Sequence, residues 1–152
     1  MEGRTQRIDK NLSNQRGDFM KISYGYDRSK IKEIVSRCGS KNVKTTYSYL
    51  DVLNFYSKNK FFCAIIDDCC FFAGSFGKGH FRLVEMAVIE EQQKMGYGKA
   101  MMILMKQICR NKGAEKITLR TSKNEKAINF FKKQNAKVIG EIKNDYEMEI
   151  KL

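Results

Sequence analysis

Proline is absent from the 152 residues, and so is tryptophan. Without proline no rigid linker divides the chain. Histidine occurs once, as His80. The five cysteines, Cys38, Cys63, Cys69, Cys70 and Cys109, are odd in number and irregular in spacing. That argues against a disulfide framework. Cys69-Cys70 is not a CxxC pair, and one histidine adds little, so a zinc site is unsupported. The cysteines read instead as small buried apolar groups. No apolar run approaches the roughly 20 residues needed to span a bilayer. Residues 1–20 are polar and lack the apolar core of a secretion signal. These absences make a cytoplasmic protein with no metal and no membrane partner the expectation.

What is present suits one domain. A hydrophobic fraction of 42% and a charged fraction of 30% are those of a globular chain large enough for a real core. The net charge of +12 is unevenly placed. Residues 106–137 carry ten Lys/Arg against Glu115 and Glu125, a local excess of +8. Residues 138–152 carry four acids against Lys143 and Lys151. The basic stretch is either a solvated face or an attractor for a polyanion, whether a phosphorylated cofactor or a nucleic acid.

Hydrophobic periodicity orders the chain. Residues 1–19 have no periodicity and read as a flexible arm ahead of a domain over 20–152. Lys21–Tyr26 alternates as a first strand. Asp27 or Ser29 is placed to cap a helix carrying Ile31, Ile34, Val35 and Cys38 on one face. Ser48–Tyr56 predicts a second short helix. Phe61–Ile66 and Cys70–Phe76 flank an Asp67-Asp68 turn as a hairpin. After Gly77-Lys78-Gly79 a strand runs over Phe81–Ile89. Met101, Leu104, Met105 and Ile108 form the stripe of a long helix ending near Gly113. A strand over Lys116–Arg120 leads to a helix with Ala127, Phe130 and Phe131 at helical spacing. Lys137–Gly140 and Asp145–Ile150 finish as strands. The order β-α-α-β-β-β-α-β-α-β-β predicts an α+β fold, a mixed central sheet flanked by helices.

The segment from Val88 to Ala100 carries the most chemistry. A strand ends, Gln93-x-x-Gly96-x-Gly98 follows, and a helix opens. Glycines let backbone N–H groups approach an anion, and the helix start adds unpaired donors and the positive end of its dipole. A dinucleotide fingerprint would need a third glycine near Met101, and a P-loop would need Ser or Thr after Gly77-Lys78. Both are missing.

Three segments together resemble the GCN5-related N-acetyltransferase (GNAT) family. They are Val88-x-x-x-x-Gln93-x-x-Gly96-x-Gly98 with its helix, the strand Ile117–Arg120 ending near Asn124, and Asn124-x-x-Ala127-x-x-Phe130-Phe131. The resemblance covers residues 20–150 and implies acetyl transfer from acetyl-CoA to an amine. It places the pyrophosphate on the loop of Gln93, Lys94, Met95, Gly96, Tyr97, Gly98 and Lys99, with Gln93 shaping the loop. It lays the pantetheine arm along Met86, Ala87 and Val88, where a backbone N–H polarises the thioester carbonyl. Asn124 would contact the CoA arm and also serve as a helix cap.

The resemblance also implies a direct transfer in which an acid and a base move protons. Glu85, on the strand leading to the acetyl site, is the candidate base. Glu90 and Glu91 belong to the loop, and His80 follows a turn. Phe131 stands where the family commonly has a tyrosine that assists the leaving thiolate. Phenylalanine donates no proton, so Tyr146 or Tyr97 would substitute, or the thiolate leaves unassisted. Phe131 also favours an alternative, a CoA-binding regulator without catalysis. A third reading, a nucleic-acid-binding protein, rests on the basic stretch and lacks a recognition motif. The acceptor would be a primary amine of a small molecule or protein, bound near residues 28–56 and 140–147. Two copies pairing as a homodimer would be in keeping with the fold.

Overall fold

The computed structural model describes residues 20–39 and 61–152. The expected arm over 1–19 and helix over 48–56 lie outside the described residues. Strand β1 spans Ile22–Tyr24 and helix α1 Arg28–Arg37. Then come β2 (Phe61–Ile66), β3 (Cys70–Gly77) and β4 (His80–Val88). After a short 3-10 turn at Glu90–Gln92, helix α2 runs over Tyr97–Asn111. Strand β5 (Lys116–Ser122), helix α3 (Glu125–Lys133), β6 (Lys137–Ile142) and β7 (Asp145–Lys151) complete the chain. Among the described residues the element order matches the sequence expectation, and none of the helices is long and apolar enough to cross a membrane.

Local chemistry sets the boundaries. Asp27 caps α1 by accepting the Lys30 N–H at 3.1 Å. Asp67 and Asp68 both adopt left-handed backbone (φ 51° and 53°), which turns β2 tightly into β3. Asn124 caps α3, its side-chain oxygen accepting from Lys126 N at 2.9 Å and Ala127 N at 3.3 Å.

The strands form one sheet in the order β1-β2-β3-β4-β5-β7-β6. Every contact within it is antiparallel except β4 with β5. Both faces are covered on one side of the sheet: Cys63 to Ile66 and Phe71 to Ala73 are all buried. Helix α1 packs there through Ile31 and Ile34, and α2 through Met101, Met102 and Met105. On the other side burial alternates. Ile117, Leu119, Met148 and Ile150 are buried, while Thr118, Arg120, Glu147 and Glu149 occupy the opposite face. All five cysteines are buried and free, as expected of apolar filler.

The decisive irregularity lies in the middle of the sheet. Strands β4 and β5 pair from His80–Lys116 to Leu83–Leu119 and then stop. At that point β4 carries a bulge: Ala73 pairs with Glu85 and Gly74 with Leu83, so Val84 is the extra residue. A bulge bends the strand and increases its twist, so β4 turns away from β5 beyond Leu83. Gly74 lets the bulge form. A Cβ there would lie 2.1 Å from the Arg82 carbonyl oxygen and 2.6 Å from the Phe81 ring. Gly74→Ala should therefore destabilise the fold by about 1–3 kcal/mol, the usual cost of overpacking. A lower urea midpoint with an unchanged m-value is the expected readout, and a midpoint equal to wild type would exclude this role.

Candidate active site

The gap opened between β4 and β5 holds a cavity of about 480 Å³. Met86, Ala87 and Val88 of β4 form one side, and Ser122 and Asn124 at the end of β5 form the other. The loop supplies Gln92, Gln93, Lys94 and Gly96, with Gly98 and Lys99 from the first turn of α2. Lys126, Ala127, Phe130 and Phe131 of α3 close it from below, and Cys38 comes from the end of α1.

Gln93 holds this arrangement together. Its side-chain amide donates to the Cys38 carbonyl at 2.8 Å and to the Val88 carbonyl at 3.1 Å. One side chain thus ties the loop to the end of β4 and to the C-terminus of α1. The loop then turns at Gly96, whose left-handed backbone (φ 87°) suits glycine. The first intrahelical bond of α2 runs from Ala100 N to Gly96 O at 3.0 Å. The N–H groups of Gly98 and Lys99 precede it in the first turn and have no backbone partner among the described residues. Gly98 also admits α3: a Cβ there would stand 3.0 Å from the Phe130 ring.

These parts have the chemistry that an anion site requires, with an apolar slot behind it. Backbone donors and the helix dipole fix a phosphate in direction. Lys94, Lys99 and Lys126 add positive charge around it. Met86, Val88, Phe130 and Phe131 supply a dry wall. The β4 edge that faced β5 carries no strand partner beyond Leu83 among the described residues, which leaves its backbone open to an extended ligand.

Of the residues singled out in the sequence, Met86, Ala87, Val88, Gln93, Lys94, Gly96, Gly98, Lys99, Asn124 and Phe131 all line this cavity. Met95 and Tyr97 do not. Tyr97 is buried, and its hydroxyl donates to Asp67 at 2.8 Å, fastening the start of α2 to the β2–β3 turn. Tyr146 lies on β7, its ring 4.9 Å from the Lys123 ammonium, and does not line the cavity. His80 opens β4, eight residues or about 26 Å of strand from Val88. Glu85 sits one residue upstream of the lining, on the sheet face opposite Met86. It is half-buried, has no ion pair among the described residues, and burial raises its carboxyl above the usual glutamate value.

The structure adds Cys38, Gln92, Ser122, Lys126, Ala127 and Phe130 to the lining. Ala127 and Phe130 lay within the quoted helix pattern and Ser122 beside it. Cys38 carried no local signal, because a hydrogen bond from a residue 55 positions away brings it there. Helix α3 has no fully buried residue, and Phe130 and Phe131 are half-buried walls of the cavity. Among the described residues no three His, Cys, Asp or Glu side chains come together as a metal site.

No curated protein matches the sequence. The fold is shared with many solved structures. The GNAT domain of PAT from S. lividans is 12% identical with a TM-score of 0.75, over 91% of this chain and 94% of that one. The PaiA N-acetyltransferase of Thermoplasma acidophilum, solved with coenzyme A, is 17% identical with a TM-score of 0.68, over 87% and 99%. The ribosomal-protein-S18-alanine N-acetyltransferase of Escherichia coli is 12% identical with a TM-score of 0.70, over 88% and 94%. At such identities these likenesses speak for the fold. The model of the acetyltransferase (GNAT) family matches residues 30–136, from within α1 to the end of the α3 turn. That match takes in the bulged strand, the glycine loop and both cavity helices, and the chain belongs to the acetyltransferase (GNAT) family, the acetyl-CoA-dependent N-acetyltransferases.

Proposed function

We propose that this chain moves an acetyl group from acetyl-CoA directly to a primary amine of a small molecule or protein, in a ternary complex. The observation that carries the proposal is the cavity itself. It joins a helix start with N–H groups that have no backbone partner to a strand edge left open, among the described residues, in the gap between β4 and β5. Acetyl-CoA supplies an activated thioester, so the residues need only bind, orient and move one proton. The N–H groups of the first α2 turn and the lysines around them take the pyrophosphate. The free edge of β4 at Met86–Val88 aligns the pantetheine arm, and a backbone N–H there takes the developing oxyanion. Losing such a donor typically costs about 10²–10³ in rate. The amide of Asn124 faces the same arm while its oxygen caps α3.

The amine must shed a proton. An alkyl ammonium with a pKa near 10.4 is free amine in only about one molecule in 10³ at neutral pH. Glu85 is the base in this reading, acting directly or through water. That it has no ion pair among the described residues supports the role; the acids of the late hairpin, by contrast, are matched. Glu141 meets Lys123 at 2.8 Å, Asp145 meets Arg120 at 2.8 Å, and Glu147 meets Arg82. That pairing leaves residues 140–147 of the expected acceptor region close to neutral, so they give no preference for a polycationic acceptor. Phe131 gives the thiolate no proton and Tyr146 does not line the cavity. Unassisted departure fits, since a thiol titrates near 8.5.

Calorimetric titration with acetyl-CoA tests the cavity. Wild type should bind saturably, with dephospho-CoA as the control for the outer phosphate. Gly96→Asp and Gly98→Asp should reduce affinity at least about 100-fold, by strain or bulk together with negative charge. Unaltered binding by both variants would remove the loop from the site.

Glu85→Gln separates chemistry from binding. Turnover should fall by about 10²–10⁴ with acetyl-CoA affinity nearly unchanged. In wild type the acid limb of the pH–rate profile should lie above the usual glutamate range, because burial favours the protonated form. The same shift fixes the sign for stability. The fold binds this proton more tightly than the unfolded chain does, so its contribution is full at low pH and lost as pH rises through the raised value. Glu85→Gln should therefore raise the melting temperature at neutral pH, with the gain vanishing below the usual glutamate value. A variant with an intact acid limb would exclude Glu85 as the base.

A further inference from the structure

Among the described residues some cations have an acidic partner and others have none. Arg82 is paired with Glu147, Lys116 with Glu149 at 3.3 Å, Arg120 with Asp145 and Lys123 with Glu141, all on or just after the sheet strands. The cations at the junction of α2 and α3 are not so paired. Lys106, Arg110, Lys132 and Lys133 have no ion pair among the described residues. Helix α2 contains no acidic residue, and α3 has only Glu125, in its first turn and away from the junction.

The four are neighbours in space. Lys106 and Arg110 stand one turn apart on α2. The Lys106 ammonium donates to the Gln134 carbonyl at 2.9 Å, which sets it against the end of α3 where Lys132 and Lys133 lie. Burial and the Arg110 charge both disfavour its protonated form. Like charges one helical turn apart cost stability; the Lys106 bond to Gln134 and the helix C-termini beside Arg110, Lys132 and Lys133 offset part of that cost, but no carboxylate among the described residues does. None of the four lines the cavity.

We propose that this junction is a second binding surface, which takes the phosphodiester backbone of a nucleic-acid strand. Its composition selects that partner over others. Protein interfaces are depleted in lysine and are anchored by aromatic or apolar residues. Membrane-surface helices insert apolar side chains. The exposed large apolar side chains among the described residues are Val138, Ile139 and Ile142, all on β6 and none on the cationic helices. A lysine-rich face without such anchors suits backbone contacts, which confer affinity without reading sequence. The surface would hold the enzyme on a nucleic-acid-bearing assembly while the adjoining cavity carries acetyl-CoA.

Fluorescence anisotropy of a labelled single-stranded RNA of about 20 nucleotides tests this, independently of any acetyl transfer. Binding should be saturable at low salt and persist with the cavity filled by CoA. With three or four phosphate contacts, log K should fall against log salt with a slope of about −2 to −3. The triple variant R110E/K132E/K133E should lose at least about tenfold in affinity and about 2 in slope, while acetyl-CoA binding stays at the wild-type value. Should that variant fail to fold, R110A/K132A/K133A should lose affinity in the same direction. Absence of RNA binding, displacement of RNA by CoA, wild-type affinity in a folded variant, or equal competition by polyglutamate would each overturn the proposal.

Discussion

The molecule's chemistry depends on one broken pairing. Strand β4 has β5 as a parallel neighbour only up to Leu83, and the extra residue Val84 turns it aside. Had the ladder continued, the backbone of Met86–Val88 would be spent on β5 and the space filled by side chains. Because it stops, an open edge exists inside an otherwise well-packed sheet. Gly74 is where sequence meets this constraint, since no larger residue clears the Arg82 carbonyl. A covered sheet seldom leaves backbone groups without partners; an edge of this kind is in keeping with a ligand that completes it.

Position at that opening is set by hydrogen bonds rather than by charge. Gln93 bridges the carbonyls of Cys38 and Val88, so the loop cannot drift from either α1 or β4. A hydrogen bond of this type adds about 0.5–1.5 kcal/mol net, but a buried carbonyl left without one costs about 1–3 kcal/mol. The larger second figure makes the tie hard to break. Tyr97 plays the matching role for the helix, anchoring its first residue to Asp67. The lysines around the mouth raise local potential, yet they are flexible point charges and confer little geometry. Direction comes from the N–H groups that these two anchors hold still.

Much of this was legible in the chain. The hairpin at Asp67-Asp68, the strand before the loop, the glycines and the Asn124 cap are local signals, and they stand where the pattern put them. Periodicity was less informative about what an apolar face meets. Ala127, Phe130 and Phe131 repeat as helix-core residues do, but that face looks into the cavity. The rule detects a surface shielded from water and is blind to whether protein or ligand does the shielding. Cys38 and the Val84 bulge were not legible at all, because each is fixed by a partner distant in sequence. Composition likewise gave the excess of +8 over residues 106–137 as a single quantity. Only tertiary pairing separates Lys116, Arg120 and Lys123, which meet carboxylates, from the cations of the α2–α3 junction, which meet none among the described residues.

That division connects stability with use. On the sheet Arg82, Lys116 and Arg120 each lie beside a carboxylate, an arrangement of small net worth at an exposed site but without repulsion. Glu85 and the α2–α3 junction depart from it in opposite senses, one an acid without a cation and the other cations without an acid. A half-buried carboxylate resists ionisation, and clustered lysines repel one another. A fold selected for stability alone would gain by matching both, for instance by an acid on the outer face of α2. The sequence places none there. The two mismatches are separate: one lies on β4 one residue upstream of the cavity lining, and the other lies outside the cavity on the helices that help to close it. Each retained cost suits a charge reserved for a partner the fold does not contain, a proton in the first case and a polyanion in the second.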